Sequence, residues 1–177
     1  MNLVHIKCRL LFLIVFIFIY NIPGINAQSN HGTDVINLNL RVLSPSPGVY
    51  ASAEGYTITA DDKIAVTLNF NWPVDISTVI AGRTVIMDFP KDGAPKLNLE
   101  WSNNNKTLVI TTVKTRSRLL THQPDAYFKL TLRGNPFNII RVNNEPVMIK
   151  SASGKILDGD YNDKEGGNYV ISFISIG

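Results

Sequence analysis

Acidic and amide side chains are concentrated in a short, glycine-bounded stretch near the end of the chain. Asp158, Asp160 and Asn162 occupy alternate positions, and Glu165 follows three residues later. Oxygen ligands at positions 1, 3 and 5 are typical of the start of an EF-hand-like calcium loop. The sequence therefore suggests a metal site in which these four side chains and a backbone carbonyl hold a structural calcium ion.

The same stretch departs from a complete EF-hand loop at two positions. Position 6 is Asp163, where such a loop has glycine, and position 12 is Tyr169, which has no carboxylate to offer. The alternative is a metal-free turn in which the aspartate side chains accept backbone N–H bonds. The sequence leaves both interpretations open, a weak calcium site or a turn without any cofactor.

The sequence contains no motif that indicates catalysis. The only cysteine is Cys8, the nucleophile motif G-x-S-x-G is absent, and the histidines beyond residue 27 are His31 and His122. Carboxylates such as Asp61 and Asp62 are present, but spacing alone does not identify an acid–base pair. The sequence therefore predicts that the protein is not an enzyme and has no catalytic residues.

The beginning of the chain has the order of a secretory signal peptide. Lys7 and Arg9 precede an apolar run at residues 10–20, and Ala27 offers a small residue for cleavage. The run is shorter than the about 20 apolar residues that a membrane-spanning helix requires. We therefore predict a signal peptide at residues 1–27 and a secreted, periplasmic or cell-surface protein, without a transmembrane segment after cleavage.

The remainder would be one domain of nearly balanced charge. The predicted signal peptide holds two of the 17 basic residues and none of the 14 acidic ones, so its removal lowers the net charge from +3 to +1. No basic patch with interleaved aromatic residues is present, so nucleic acid is not an expected partner. About 150 residues are enough to bury a core without disulfides. Residues 28–35 are polar and predict a flexible N-terminal arm.

Short apolar–polar alternations dominate the rest of the sequence. The clearest covers residues 64–72, and its phase predicts that Phe70 and Trp72 are buried in the core together with Trp101. Other predicted strands lie at residues 36–42, 84–89, 97–101, 107–113, 128–132, 139–142, 147–149 and 169–176. Since turn residues separate these segments and no long helical period occurs, the sequence predicts an all-β fold, an antiparallel β-sandwich of about eight or nine strands.

Three stretches of the sequence resemble a known family. They are LSPSPG at residues 43–48, IAVTLNFNWPVDISTV at residues 64–79, and SASGKILDGDYNDKEGGNYVISF at residues 151–173. Together they resemble the bacterial Ig-like domain of the S-layer-protein type, a module of secreted and cell-surface proteins. The resemblance implies that residues 36–177 form an Ig-like β-sandwich domain.

The resemblance also implies a function. It points to an exported, non-enzymatic module with a structural, adhesive or protein-interaction role at the cell envelope, whose partner is a cell-envelope or surface protein or a glycan. The alternative is a carbohydrate-binding module of β-sandwich type, a role that the fold alone does not establish. That alternative requires a flat exposed platform formed by Tyr50, Tyr56, Tyr161 or Tyr169.

Overall fold

The computed structural model describes residues 39–50, 55–120, 127–135, 141–142 and 145–174, with the backbone alone at 141–142 and 145–146. The predicted signal peptide at 1–27 and the predicted arm at 28–35 lie outside these residues, as do His31 and His122.

The described residues contain eleven strands and two short helical turns. The strands are β1 Val42–Ser44, β2 Gly48–Tyr50, β3 Thr57–Ile58, β4 Ile64–Phe70, β5 Val85–Asp88, β6 Leu97–Ser102, β7 Thr107–Thr112, β8 Tyr127–Leu132, β9 Arg141–Val142, β10 Glu145–Pro146 and β11 Tyr169–Ile174. The turns are a 3₁₀ helix at Ile76–Thr78 and a one-turn α-helix at Arg116–Leu119. Three strands have only two residues, and the remaining eight agree with the prediction of about eight or nine strands.

The strands form two main sheets. One has the order β1-β4-β7-β6, with β3 also pairing with β4, and the other has the order β2-β11-β8-β5. The order β1-β4-β7-β6 corresponds to A-B-E-D and β11-β8-β5 to G-F-C of an immunoglobulin-like sandwich, with β2 as an additional strand beside β11, so the predicted all-β sandwich is confirmed. The pairings are antiparallel except that of β2 with β11, which is parallel. The chain therefore passes from the first sheet to the second between β1 and β2.

Strand β4 shows how the alternation produces the core. Ile64, Val66, Leu68 and Phe70 are buried, as their period-two spacing predicts. The strand then ends, because the Asn71 side chain accepts a hydrogen bond from the Arg41 amide at 2.8 Å and donates one to the Asn39 carbonyl at 2.8 Å.

The prediction that Trp72 is buried is wrong. The residue lies beyond the end of β4 and is 38% exposed. Pro73 follows, and because proline has no N–H to donate, it does not continue the ladder and the strand phase no longer applies. Trp101 is partly buried against the core, with its ring centroid 6.1 Å from that of Phe70.

Aromatic rings fill the space at the centre of the sandwich. Phe128 on β8 stacks with Phe173 on β11 at a centroid distance of 4.7 Å and with Phe89 at 5.2 Å. Tyr56 meets Phe128 edge-on at 5.3 Å. The preceding residue, Tyr127, is 54% exposed, since successive residues of a strand point to opposite faces. These contacts hold β8 and β11 against the connecting segments.

A one-turn helix at Arg116–Leu119 follows β7 and contains Arg116 and Arg118. Asp62 bonds to the first residues of this helix. Its Oδ2 accepts a hydrogen bond from the Ser117 amide at 3.0 Å, and its Oδ1 lies 3.4 Å from Nε of Arg116. The turn forms because a carboxylate from a distant loop satisfies an amide at its N-terminus.

Candidate functional site

The backbone closes the acidic stretch into a loop at the start of β11. The Gly159 amide donates to the Gly166 carbonyl at 3.2 Å, and the Gly166 amide donates to the Leu157 carbonyl at 3.1 Å. A Cβ on Gly159 would lie 2.1 Å from the Tyr169 amide nitrogen. Gly167 has a φ of +77°, and a Cβ there would lie 2.5 Å from the Asp160 carboxyl group. Glycine at these two positions therefore allows the loop to fold back against the last strand.

Asp158 is the buried centre of this loop. Its side chain is fully buried, and its Oδ2 accepts hydrogen bonds from both Nε of Arg41, at 2.8 Å, and Nη2 of Arg41. The Asn162 amide donates to Oδ1 at 3.1 Å, and the Asp163 amide donates to Oδ2 at 3.1 Å. Charge-assisted bonds of this kind satisfy both carboxylate oxygens.

The other three predicted ligands make separate local contacts. Asp160 Oδ2 accepts from the Asn162 side-chain amide at 2.9 Å, and Asn162 Oδ1 accepts from the Lys164 amide at 2.9 Å. Glu165 Oε1 lies 3.1 Å from Nζ of Lys155. The hydrogen bond from Lys155 lowers the pKa of Glu165 below its usual value. The structure thus places all four residues in one loop, with Glu165 directed to a different partner from Asp158.

Asp158 is held by protein groups in this arrangement. Both of its carboxylate oxygens accept hydrogen bonds, which come from the Arg41 guanidinium and from two backbone amides. Within the described ranges, no group of three or more His, Cys, Asp or Glu side chains is arranged to hold a metal. The calcium site stays a prediction from sequence, and the observed bonds are those of the metal-free turn.

A calcium titration distinguishes the two interpretations. Arg41 and backbone amides already supply hydrogen bonds to both oxygens of Asp158. We therefore expect the same melting temperature in chelator and in about 10 mM calcium, a concentration above the usual dissociation constants of extracellular calcium-binding modules. Differential scanning calorimetry measures it. A calcium-dependent rise that Asp160→Ala abolishes would establish the calcium site instead, since an ion that binds only the folded state raises the melting temperature.

Arg41 is the member of this cluster that the sequence did not reveal. It alternates with Leu40 and Val42, so its pattern predicts only the polar face of a strand. Burial opposes its charge, but hydrogen bonds to Asp158 and Asp163 outweigh burial and raise the pKa of Arg41. No local motif signals the pairing, since Arg41 and Asp158 are 117 positions apart.

Two tyrosines extend the cluster to the crossover between β1 and β2. The Tyr161 hydroxyl donates to the Val42 carbonyl, and its ring lies 5.3 Å from the guanidinium of Arg41. The Tyr169 hydroxyl donates to the Pro45 carbonyl at 2.9 Å, and burial raises the pKa of Tyr169. The acidic loop and β11 therefore hold the segment that carries the chain from one sheet to the other.

The four candidate tyrosines do not make a flat exposed platform. Tyr56 and Tyr169 are buried. Tyr50 and Tyr161 are partly buried against the core, and the Tyr50 hydroxyl donates to the Ser46 carbonyl at 3.0 Å. Their rings and hydroxyls serve internal packing, so the platform that the carbohydrate-binding alternative required of them is not formed.

The carboxylates of Asp61 and Asp62, considered above for acid–base chemistry, have structural partners. Asp61 pairs with Lys63 and accepts a hydrogen bond from the Thr59 hydroxyl at 2.6 Å. Asp62 accepts a hydrogen bond from the Ser117 amide, as described above. Hydrogen bonds, from Lys63 to Asp61 and from Ser117 to Asp62, lower the pKa of each carboxyl group. Both are therefore ionised near neutral pH, whereas a general acid at that pH requires a raised pKa.

Comparison with known proteins gives a limited set of similarities. No protein-family model matches the chain. No curated protein matches it. Among solved structures, the chain is similar to the N-terminal part of the bacterial S-layer protein SbsC, with a TM-score of 0.42, 14% identity, and coverage of 77% of this chain and 23% of that chain. Domains 1–6 of surface layer protein SbsC give a TM-score of 0.42 and 14% identity over 78% of this chain and 14% of that chain.

A third solved structure, the S-layer protein rSbsC(31-844), gives a TM-score of 0.40 and 14% identity over 76% of this chain and 13% of that chain. The chain thus spans less than a quarter of the length of each of these structures. At this identity and TM-score, the likeness carries no conclusion about what this chain binds. The strand order itself defines the class, an Ig-like β-sandwich. Neither of the helical turns in the described ranges has the length and hydropathy that crossing a bilayer requires.

Proposed function

We propose that this chain is an exported, non-enzymatic Ig-like module with a structural, adhesive or protein-interaction role at the cell envelope. The observation that carries the proposal is that the acidic loop, the most chemically distinctive element of the chain, makes internal structural contacts. Asp158 in the acidic loop forms an ion pair with the partly buried Arg41, and Tyr161 and Tyr169 bond to the segment between β1 and β2. Such a use suits a module whose product is a stable surface rather than a reaction.

Two features of the sequence support the location. Residues 1–27 have the layout of a signal peptide, and the three stretches described above resemble the bacterial Ig-like domain of the S-layer-protein type. The proposal therefore includes membership of that family and a secreted, periplasmic or cell-surface site of action.

A feature of the second sheet supports contact with another protein. Strand β2 is an end strand of that sheet, and Val49 on it is 72% exposed. An end strand offers backbone groups to which another chain adds by strand pairing, while an exposed apolar side chain adds contact area. A protein partner at the envelope would find such a surface accessible.

Export of the protein tests the proposal. We expect cell fractionation to place the protein outside the cytoplasm, with Gln28 as its new N-terminus, because Ala27 precedes the predicted cleavage site. Mass spectrometry of the N-terminal peptide measures this directly. A variant with Leu13→Arg and Phe16→Arg in the apolar run serves as the control and should remain uncleaved in the cytoplasm. Recovery of the unaltered chain in the cytoplasm with Met1 intact would overturn the proposal.

A further inference from the structure

A cleft lies beside the exposed indole of Trp72. It has a volume of about 380 Å³ and is lined by Trp72, Pro73, Ser151, Ala152, Ser153 and Lys155. Sites for small ligands are concave, mostly apolar and of about 300–1,000 Å³, with a few polar groups that set orientation. The cleft has these properties, and it lies outside the acidic loop that the sequence singled out.

The walls of the cleft are held together by backbone bonds. The Ala152 amide donates to the Pro73 carbonyl at 2.8 Å, and the Asp75 amide donates to the Lys150 carbonyl at 2.9 Å. Val74 and Ser151 form an antiparallel bridge. The segment that follows β4 and the turn at residues 151–154 are thus fixed to each other, which limits how far the walls of the cleft can move apart.

The polar groups at the cleft are also held in place. Ser151 is buried, and its Oγ lies 2.9 Å from the Oγ of Ser153 and accepts a hydrogen bond from the Lys155 amide at 3.0 Å. The Lys155 ammonium lies 3.1 Å from Oε1 of Glu165. On Trp72, the Lys106 ammonium lies 5.9 Å from the ring centroid, a cation–π contact that helps fix the ring. The indole of Trp72, the side chain of Ser153 and that of Lys155 therefore line the same small cleft.

This combination matches one class of ligand. A pyranose ring has an apolar C–H face that packs on an aromatic ring, and its edge carries hydroxyls that exchange hydrogen bonds with serine and lysine side chains. A protein interface engages about 20–30 residues a side, far more than the six that line this cleft. The chemistry and the size both favour a single sugar ring.

We propose that the Trp72 cleft binds a pyranose unit of a cell-envelope glycan, with the ring packed on the indole and its hydroxyls bonded to Ser153 and Lys155. The inference rests on the proposed function and adds a glycan partner at a surface separate from β2. It also moves the aromatic contact of a carbohydrate-binding module from the tyrosines, whose rings serve internal packing, to a tryptophan that the strand pattern predicted to be buried.

Binding measurements on the full chain, purified after export, test this site. The probes are soluble oligosaccharides of neutral hexoses, of N-acetylhexosamines and of uronic acids, titrated by isothermal calorimetry at up to millimolar concentration. We expect at least one of these classes to bind. Trp72→Ala should weaken that binding by about tenfold or more, because it removes the central packed side chain of the site. Trp72→Phe, which keeps an aromatic face, should lose less.

Tyr127→Ala is the matched control, because it also removes an exposed aromatic ring, but from β8. It should bind as tightly as the unaltered protein. Ser153→Ala provides a second variant that leaves the indole in place and should weaken binding severalfold. The proposal is overturned if no probe binds, or if Trp72→Ala and Tyr127→Ala bind alike. Either result would leave N-terminal processing and envelope location unchanged, so failure here is distinct from failure of the proposed function.

Discussion

Replacing Asp158 with asparagine is expected to lower the free energy of unfolding by about 3 kcal/mol, because it leaves Arg41 without its buried counter-charge. Removing one partner of a buried ion pair costs about 3–5 kcal/mol. The lower end applies here, since the Arg41 side chain keeps 19% exposure and also bonds to Asp163. Urea denaturation followed by circular dichroism measures the loss.

Asp163→Asn supplies the matched control for that change. The same nitrogen of Arg41, Nη2, lies 2.7 Å from Oδ1 of Asp163, but the Asp163 side chain is 77% exposed. Exposed ion pairs contribute about 0–1 kcal/mol, so the control should lose no more than that. Equal losses for Asp158→Asn and Asp163→Asn would contradict the role of Asp158 as the buried anchor of the loop.

A double substitution separates the cost of an orphaned charge from the value of the pair. In Arg41→Met with Asp158→Asn, the remaining buried group is neutral, and a methionine fills the space of the arginine stem. Apolar replacements of buried ion pairs are often neutral or stabilising. We therefore expect the double variant to be more stable than Asp158→Asn alone. Equal stability of the two would show that the lost amide bonds to Asp158, rather than the charge of Arg41, account for the cost.

The sheets were largely predictable from the sequence because strand burial is a local property. Ile64, Val66 and Leu68 alternate with polar residues, and the pleat alone carries that pattern into the core. The exposure of Trp72 has a local and a tertiary cause. Pro73 marks a strand end in the sequence itself, but β4 already ends at Phe70, where the Asn71 side chain bonds to residues 39 and 41, which only the tertiary fold brings alongside. Periodicity does not register such a bond, so the alternation was extended by one apolar position, Trp72.

The candidate site shows the same division. The position of the acidic loop follows from its composition, since aspartate and glycine favour turns with backbone hydrogen bonds and positive φ. Its chemistry depends on what lies opposite Asp158. The sequence does not tell whether a carboxylate binds calcium or a guanidinium. Only the fold shows that Arg41 lies beside Asp158. The distinction between a metal site and a structural anchor was therefore beyond the reach of spacing.

The cleft at Trp72 was hidden for a related reason. Its residues come from two segments, 72–73 and 151–155, that no motif connects. In the sequence, Ser151 and Ser153 resemble ordinary turn residues. The turn that they form becomes a wall of the cleft only because it bonds to the segment after β4. The exposure of Trp72 is thus both the failure of a local rule and the origin of the candidate binding surface.

Replacing Phe128 with alanine is expected to lower the free energy of unfolding by about 4 kcal/mol, within the range of about 3–5 for Phe→Ala in a packed core. Phe128 is fully buried and packs between Phe89, at 5.2 Å, and Phe173, at 4.7 Å. Aromatic contacts of this kind contribute beyond the area that they bury. The substitution would leave a cavity beside β8, which is paired with β11 on one side and with β5 on the other. These pairings limit how far the neighbouring strands can move to fill the cavity.

Tyr127→Ala, one residue earlier on the same strand, is the control for that measurement. Its ring is 54% exposed, so its loss should change the stability by less than about 1 kcal/mol. Phe128→Leu should fall between the two, because it keeps part of the buried volume, and it remains measurable if the alanine variant does not fold. Urea denaturation of the three variants gives the comparison. A loss below about 1 kcal/mol for Phe128→Ala would mean that the stacked rings of Phe89, Phe128 and Phe173 contribute little to the stability of the core.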